Sequence, residues 1–313
     1  MAMRFSLILP LLGLLLTSAC ATPDLAQPIW QGPETVALIG SVGTEETSGL
    51  APSRLQPDIL WSHNDSGDQP ILRALDAQGN VRAIVNIRGA RNIDWEDMAS
   101  FTLDGIAYLI AGDIGDNEAV RADCMLYVIK EPAFTPTGHV QTLFVDIAWQ
   151  IPLRYPGGPR DCESIAVDVQ EEMIYLISKR TKPAVAYRLP LRANREQTPA
   201  AQRVGALKGL REATGLLANM KIPLGKYRSS PCAFDISPDG RSAVVLTYGE
   251  VYLYPKADGM SWAEAFAGDP LVLGSHGLPQ AEAICFSPDA HKIIYTTEGY
   301  PAPLITYTLA EKP

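Results

Sequence analysis

The C-terminal third of the chain contains one pattern twice. The segment CAFDISPDGRSAVVLTYGEVYLYP begins at Cys232, and EAICFSPDAHKIIYTTEGYPAPLITYTL begins at Glu282. Each is a β-rich run, a turn, a second β-rich run, a polar tip and a third run, and Ser237-Pro238-Asp239 returns 50 residues later as Ser287-Pro288-Asp289. A repeat of this length predicts copies of one small β-unit that stack to form a core, because a single unit cannot bury its own apolar face.

The turn between the first two runs resembles the FSPDG-type turn in the WD40-like repeats of bacterial β-propellers of the TolB kind. The resemblance covers the two clear copies, which make up under a third of the chain. It implies a fold of four-stranded antiparallel blades arranged around a central channel. It implies nothing about a reaction.

Three looser copies precede the two clear ones and begin at Ser48, Glu96 and Glu163. We therefore predict an all-β propeller of five four-stranded blades. Six blades are the alternative, but the sixth would have to come from residues 211–230, which are too few for four strands. The last copy has no fourth run, so a strand within residues 35–43 is expected to complete the last blade and close the ring.

The first twenty residues have the features of an export signal. Arg4 precedes an apolar run from Phe5 to Leu16, which has the length of a secretory signal and is too short to span a bilayer. The run ends in Thr17-Ser18-Ala19-Cys20, which resembles the lipobox of bacterial lipoproteins. This resemblance implies a signal peptide over residues 1–19, lipidation of Cys20 and attachment to the periplasmic face of the outer membrane. The alternative is an ordinary signal peptide that is cleaved near this position.

The remaining chain divides into a tether over residues 20–34 and a single propeller domain over residues 35–313. Acidic residues outnumber basic ones by 35 to 26, for a net charge of −9. Such a chain repels phosphate backbones, so nucleic acid is excluded as a general partner. We expect a monomer that touches the membrane only through its lipid. Cys124, Cys162, Cys232 and Cys285 either form disulfides, which an exported protein permits, or remain buried thiols.

The propeller geometry brings the unusual polar residues to one face. Loops that lead into the innermost strands share a face with loops that join second to third strands. The residues that begin the innermost strands are Ser48, Glu96, Glu163, Cys232 and Glu282. Three glutamates would thus converge on one axis, where they need raised pKa values, a bound cation or hydrogen bonds to neighbouring blades. Oxygen ligands favour Ca²⁺, and the predicted ligands are Glu96, Glu163, Glu282 and Asp113.

The second-to-third loops supply candidates for the chemistry. His63, Asp65 and Asp116 are predicted to handle a proton, although each also fits a polar turn. The cations predicted to hold an anionic group of a small molecule are Lys179, Arg180 and Arg121.

Two functions fit these residues. The first is a calcium-dependent hydrolase of phosphoesters, lactones or esters, similar in general plan to phytase-like, lactonase-like and esterase-like propellers. The second is a non-enzymatic module that binds a protein or a glycan in the periplasm or at the cell surface. Fold alone does not decide between them.

Overall fold

The computed structural model describes residues 29–192, 198–220 and 225–310, and the regular secondary structure of these residues is almost entirely β-strand. The predicted signal peptide, the lipidation site Cys20 and most of the predicted tether lie outside the described residues. No helix in the described part of the chain combines the length and apolar character needed to cross a membrane.

Four sheets contain all twenty strands of the described chain. The first three have the orders β10-β11-β12-β13, β14-β15-β16-β17 and β18-β19-β20-β1, and each is antiparallel. The fourth has the order β2-β3-β4-β5-β9-β8-β7-β6, in which two antiparallel units of four join through a parallel pairing of β5 with β9. The strands are β1 Trp30–Ile39, β2 Thr47–Pro52, β3 Leu60–Asn64, β4 Ile71–Leu75, β5 Val81–Arg88, β6 Trp95–Leu103, β7 Ile106–Asp113, β8 Cys124–Lys130, β9 Gln141–Leu153, β10 Cys162–Asp168, β11 Met173–Ser178, β12 Val185–Pro190, β13 Gln202–Ala206, β14 Pro231–Ile236, β15 Ser242–Thr247, β16 Glu250–Pro255, β17 Leu271–Ser275, β18 Ala281–Phe286, β19 Lys292–Thr297 and β20 Ala302–Leu309.

The first strand of each four-stranded unit lies at the axis of a ring. Strands β2, β6, β10, β14 and β18 contact one another in cyclic order, and β18 returns to β2. They are buried along nearly their whole length, whereas the fourth strands β13 and β17 are only half-buried or exposed. A propeller requires this decrease in burial from the innermost to the outermost strand of each unit. The predicted all-β propeller fold is confirmed. The number of blades stays a prediction.

The N-terminal strand closes the ring. Strand β1 pairs antiparallel with β20, from Trp30 opposite Leu309 to Ile39 opposite Ala302. It therefore supplies the fourth strand that the last repeat lacks. The observed strand begins and ends earlier than the predicted run of residues 35–43.

The repeated turns are stabilised by their own side chains. Ser237 Oγ donates to Asp239 Oδ1 over 2.5 Å and accepts from Ser242 N over 3.0 Å. Ser287 makes the same two bonds, to Asp289 and from Lys292. The Ser-Pro-Asp repeat in the sequence is therefore a repeated hydrogen-bonding unit.

Two short helices interrupt the strands in the part of the chain that the structure describes. A 3-10 helix, Gly215–Asn219, lies in the long connection that precedes β14, and α1, Trp262–Ala267, lies between β16 and β17. The first belongs to the segment that was too short for a sixth blade. The four cysteines within the described chain are free and buried.

Candidate functional site

The innermost strands share an irregularity at their second residue. The pairing of each with its neighbour skips that residue, as it does between Cys162 and Ser164 in β10. A bulge of this kind leaves a residue out of the ladder and re-aims its side chain. The skipped residues, which are all buried, are Ser48, Glu96, Glu163, Cys232 and Glu282, together with Asp97 in β6. They include all five positions that the sequence repeat aligns.

Carboxylates gather at this end of the ring in two overlapping groups. Asp65, Asp94 and Glu96 have oxygens within 4.8 Å of one another, and so do Glu96, Asp161 and Glu163. In two neighbouring units an aspartate stands two residues before the glutamate, immediately before the innermost strand begins. Glu96 belongs to both groups and joins them. We call the first group the open triad and the second the paired triad.

The open triad has no ion pair with any cation of the described chain. Asp65 and Asp94 are half-buried, and Glu96 is buried. Gly115 packs against the open triad, and its N–H donates to the carbonyl of Asp94 over 3.1 Å. A Cβ atom at Gly115 would overlap Glu96 Oε1 and lie 2.5 Å from Asp94 Oδ2. A residue without a side chain therefore leaves these carboxylates their space.

Two of the three carboxylates of the paired triad form ion pairs with consecutive cations, and Glu96 does not. Lys179 forms a buried ion pair with Glu163. Arg180 Nε donates to Asp161 Oδ2 over 2.6 Å, and the backbone N–H of Asp116 donates to Asp161 Oδ1 over 3.0 Å. The loop between β11 and β12, which carries both cations, thus brings positive charge to the acidic end of the ring.

Glu282 completes the acidic surroundings from the other side of Lys179. Its Oε1 accepts a hydrogen bond from the Tyr248 hydroxyl over 2.6 Å, and its Oε2 is buried without a hydrogen-bond partner within the described residues. The ammonium of Lys179 lies 5.1 Å from the centre of the Tyr248 ring, a cation–π contact. Glu282 lies outside both triads.

The electrostatics follow from burial and crowding. Burial raises the pKa of Glu96 well above its usual value, and the charge of Glu163 raises it further. Burial and then the charge of Asp65 raise the pKa of Asp94 to about 6. Burial disfavours the charged form of Lys179, but Glu163 and Glu282 outweigh it and hold the pKa above its usual range. Lys179 is therefore a fixed positive charge, whereas the carboxylates need a cation to ionise together.

Two predicted residues order the loop after β7 and do not join the triads. Asp113 Oδ1 lies 2.8 Å from Arg121 Nη2 and accepts from the Asp94 N–H over 3.1 Å. Asp116 accepts from the backbone N–H groups of Val120 and Arg121 over 2.8 and 2.9 Å. Both carboxylates thus stabilise the conformation of this loop. The predicted roles of Asp113 in metal binding and of Asp116 in proton transfer stay predictions.

His63 lies in the wall of the ring. It is fully buried, its Nδ1 lies 2.9 Å from the carbonyl oxygen of Asn64, and its ring packs edge-on against Trp95 at 5.4 Å. Burial lowers its pKa to about 4, so the imidazole is neutral at pH 7. Its predicted role in proton transfer is not supported by a contact with either triad.

Two aspartates of the innermost strands accept hydrogen bonds from the backbone N–H groups of other innermost strands. Asp97 Oδ2 accepts from the N–H groups of Ile165 in β10 and Phe234 in β14, over 3.0 and 3.1 Å. Asp235 in β14 likewise accepts from Phe286 N in β18 over 2.8 Å. These bonds link innermost strands across the axis. They do not involve the carboxylates of the open triad, of which Asp65 accepts a hydrogen bond from the backbone N–H of Ser66.

The open triad fits a hard divalent cation. All three ligands are carboxylate oxygens, and their mutual separation of at most 4.8 Å matches two Ca–O bonds of about 2.4 Å each. No imidazole or thiolate contributes to either triad, which disfavours Zn²⁺. Asp94 and Asp161 were not among the predicted ligands. The signal that identifies them is the Asp-x-Glu spacing at 94–96 and 161–163.

No protein family matches the sequence, and no curated protein does so either. Among solved structures, the chain is similar to a gluconolactonase from Xanthomonas campestris, with 12% sequence identity and a TM-score of 0.43 over 84% of this chain and 72% of that one. The predicted relation to WD40-like repeats of the TolB kind stays a prediction.

Proposed function

We propose that the protein is a calcium-dependent hydrolase of small carbonyl or phosphoryl compounds, with its site at the acidic end of the ring. One observation carries the proposal. The open triad brings three carboxylate oxygens within 4.8 Å of one another without an ion pair to any cation of the described chain. Ionised carboxylates crowded in this way are energetically unfavourable unless a cation binds to them.

Asp65, Asp94 and Glu96 are the proposed ligands. When bound, a divalent cation supplies Lewis-acid polarisation of a carbonyl or phosphoryl oxygen. The predicted ligands Glu163, Glu282 and Asp113 have other partners, namely Lys179, Tyr248 and Arg121. Gly115 is proposed to keep the ligand oxygens accessible, because any side chain there meets them.

Side chains of the paired triad and its cations are proposed to supply the other catalytic roles. Lys179 is a buried, permanently charged ammonium that can donate a hydrogen bond to an oxygen on which negative charge develops. Glu163, which shares that ammonium, is proposed to accept a proton from the attacking water, because burial makes its carboxylate more basic. Arg180 is proposed to orient the site through Asp161.

Thermal unfolding with and without metal tests the ion. We expect saturating Ca²⁺ to raise the melting temperature of the EDTA-treated protein by about 5–10 °C, since a ligand at a hundredfold excess over its Kd adds about 2.7 kcal/mol. The double variant Asp94→Asn/Glu96→Gln should lose the shift. Glu34→Gln, at an exposed position of β1, is the matched control and should keep it. A wild-type protein that shows no shift overturns the proposal.

A substrate panel tests the reaction. Aryl phosphates, lactones and aryl esters would be assayed with wild type and Glu163→Gln in the presence of Ca²⁺. We expect at least one class to be hydrolysed, and the variant to be slower by about 10²–10⁴-fold, the usual contribution of a general base. Equal rates in both proteins would remove Glu163 from the mechanism.

A non-enzymatic binding module is the second candidate. The observation that favours it is the pairing of Glu163 with Lys179 and of Asp161 with Arg180, which already gives two carboxylates of the paired triad a cation. On this proposal the protein binds Ca²⁺ for stability and presents the acidic face to a protein or a glycan. A calcium-induced shift without hydrolysis of any substrate in the panel would favour it.

Export and membrane attachment belong to the same proposal. We propose a monomer held at the periplasmic face of the outer membrane by a lipid on Cys20. The Cys20→Ser variant should then move from the membrane fraction to the soluble fraction. Retention of the variant in the membrane fraction would contradict the anchor.

A further inference from the structure

A cavity of about 230 Å³ adjoins the paired triad. Its walls come from the loop after β11, from residues 207–212 after β13, and from Ser229 and Ser230 just before β14. Lys179 lines the cavity and also holds Glu163. One ammonium therefore stands between the cavity and the proposed reaction centre.

Both apolar and polar side chains line the cavity. Ala184, Leu207 and Leu210 belong to or pack against the apolar core between neighbouring units. Thr181, Ser229 and Ser230 supply hydroxyl groups, and Lys179, Lys182 and Glu212 supply charges. The apolar side chains can hold an aliphatic group, and the polar ones can orient a polar group of the same molecule.

The charge around the cavity disfavours an anionic occupant. Lys182, at the rim, is paired with Glu212 and also donates to the Lys226 carbonyl over 3.2 Å. Lys179 and Arg180 are paired with Glu163 and Asp161. Both cations of the proposed site are thus committed to carboxylates, while Glu96 and Glu282 lie nearby. A phosphate dianion would meet net negative charge, whereas a neutral molecule would not.

We infer that this cavity binds the short aliphatic part of a neutral carboxylic ester or lactone, with its carbonyl group directed toward Lys179. The inference rests on the proposed hydrolase and selects among its substrate classes. It excludes phosphomonoesters as the preferred substrates.

The reaction that follows balances without a further reactant. The oxygen of water bonds to the carbonyl carbon, and the bond from that carbon to the alkoxy oxygen breaks. The proton released by water passes to the alkoxy oxygen, so an ester yields an acid and an alcohol, and a lactone yields a hydroxy acid. The acid ionises, and the surrounding carboxylates then favour its departure.

The volume sets the length of the aliphatic part. A cavity of about 230 Å³ is smaller than the roughly 300–1,000 Å³ of sites for drug-sized ligands. If each group of one heavy atom takes about the volume of a water molecule, roughly 30 Å³, about seven to eight groups fit. The carboxylic ester group itself takes about two or three of these places, which leaves room for aliphatic chains of about four to six carbons. Longer chains would have to leave the cavity.

Binding of ester isosteres tests the inference without turnover. The probes are N-methyl alkanamides from acetamide to decanamide, with phenyl phosphate for comparison, titrated into the full chain by calorimetry or ligand-observed NMR. We expect affinity to rise to about four to six carbons and then level or fall. Phenyl phosphate should bind more weakly than the best amide. Tighter binding of phenyl phosphate would overturn the charge argument.

Two opposite changes at Leu210 test the location. Leu210→Trp fills the cavity and should weaken the best amide at least tenfold, whereas Leu210→Ala enlarges it and should move the optimum to longer chains. Leu216→Trp, on the exposed 3-10 helix, is the matched control and should change neither. Unchanged binding in both Leu210 variants overturns the inference. Since no hydrolysis is measured, an inactive protein that shows the expected binding contradicts the proposed function alone.

Discussion

Gly115 is the residue on which the open triad most depends for its space. The Gly115→Ala variant places a methyl group against Glu96 Oε1 and Asp94 Oδ2, and these side chains must move apart. The backbone at Gly115 does not have a positive φ, so alanine itself is not strained there. We therefore expect a folded variant whose melting temperature no longer responds to Ca²⁺, as thermal unfolding with and without EDTA would measure.

Gly138→Ala is the control for this change. Nothing lies within 4 Å of a Cβ atom at Gly138, and its φ is also not positive. This variant should keep the full response to Ca²⁺. A normal response in Gly115→Ala would show that the open triad is not where the cation binds.

The pKa of Glu298 depends on the negative charge at the same end of the ring. Burial, and then the charges of Glu282 and Asp65, raise its pKa to about 7. The folded protein therefore holds this proton at pH values where the unfolded chain has lost it, so stability falls as the pH rises from about 4.5 to 7. Glu298→Gln removes this cost and keeps an oxygen to accept the bond from Gln280. In EDTA we expect the variant to exceed wild type in melting temperature above pH 7, and to match it below pH 4.5.

Glu264→Gln should show the opposite sign. Glu264 accepts hydrogen bonds from the N–H and hydroxyl of Ser261 in the capping box of α1, and these bonds lower its pKa. Its stabilising effect is present at neutral pH and is lost as the pH falls. A Glu298→Gln variant that loses stability at pH 8 would contradict the proposed crowding of charge.

Sequence reasoning located the site by position but only partly by residue. The alignment of repeats identified Glu96 and Glu163, because the second residue of an innermost strand is fixed by the repeat itself. Asp94 and Asp161 were not predicted as ligands, since the contact of Asp94 with Asp65 and of Asp161 with Glu96 depends on how adjacent units pack. Lys179 was predicted as a ligand for an anion, and its pairing with Glu163 also depends on a contact that no local pattern encodes.

At the scale of elements, the bulge in β6 separates two neighbouring carboxylates with different tasks. Glu96 faces the acidic end of the ring, whereas Asp97 accepts hydrogen bonds from β10 and β14. Strict alternation along β6 predicts opposite faces but cannot predict a bulge that skips both residues. The Ser-Pro-Asp turns were predicted correctly because all of their bonds lie within a few residues.

Asp97→Ala tests the link between innermost strands. The variant leaves the N–H groups of Ile165 and Phe234 buried without this acceptor, at about 1–3 kcal/mol each. The carboxyl group itself is costly to bury, and its removal offsets part of that loss. We expect a net destabilisation on the order of 2 kcal/mol or more in denaturant unfolding.

Asp235→Ala is the comparison, because Asp235 makes one such cross-strand bond where Asp97 makes two. It should destabilise the protein less than Asp97→Ala does. Asp97→Ala with wild-type stability would mean that the innermost strands hold together without the link.

At the scale of the whole molecule, the order of the strands makes distant residues neighbours. The chain places one four-stranded unit after another, and the innermost strands meet around an axis. This arrangement of units could be predicted from the sequence, because repeated runs and turns are local signals. The sequence was not sufficient for the parallel pairing of β5 with β9, which joins the outer edges of two units.

The ring then depends on one strand from the other end of the chain. Ile39 and Leu38 are adjacent in β1 and point to opposite sides: Ile39 is fully buried against β20, whereas Leu38 is 55% exposed. Ile39→Lys puts a charge into the apolar contact of β1 and should cost about 3 kcal/mol or more, whereas Leu38→Lys should change stability by less than about 0.5 kcal/mol. Hydrogen exchange is the decisive measurement, because loss of β1 exposes the edge of β20. We expect the amides of Leu304 and Thr306 to exchange faster in Ile39→Lys alone, and unchanged protection there would mean that β1 is not what closes the ring.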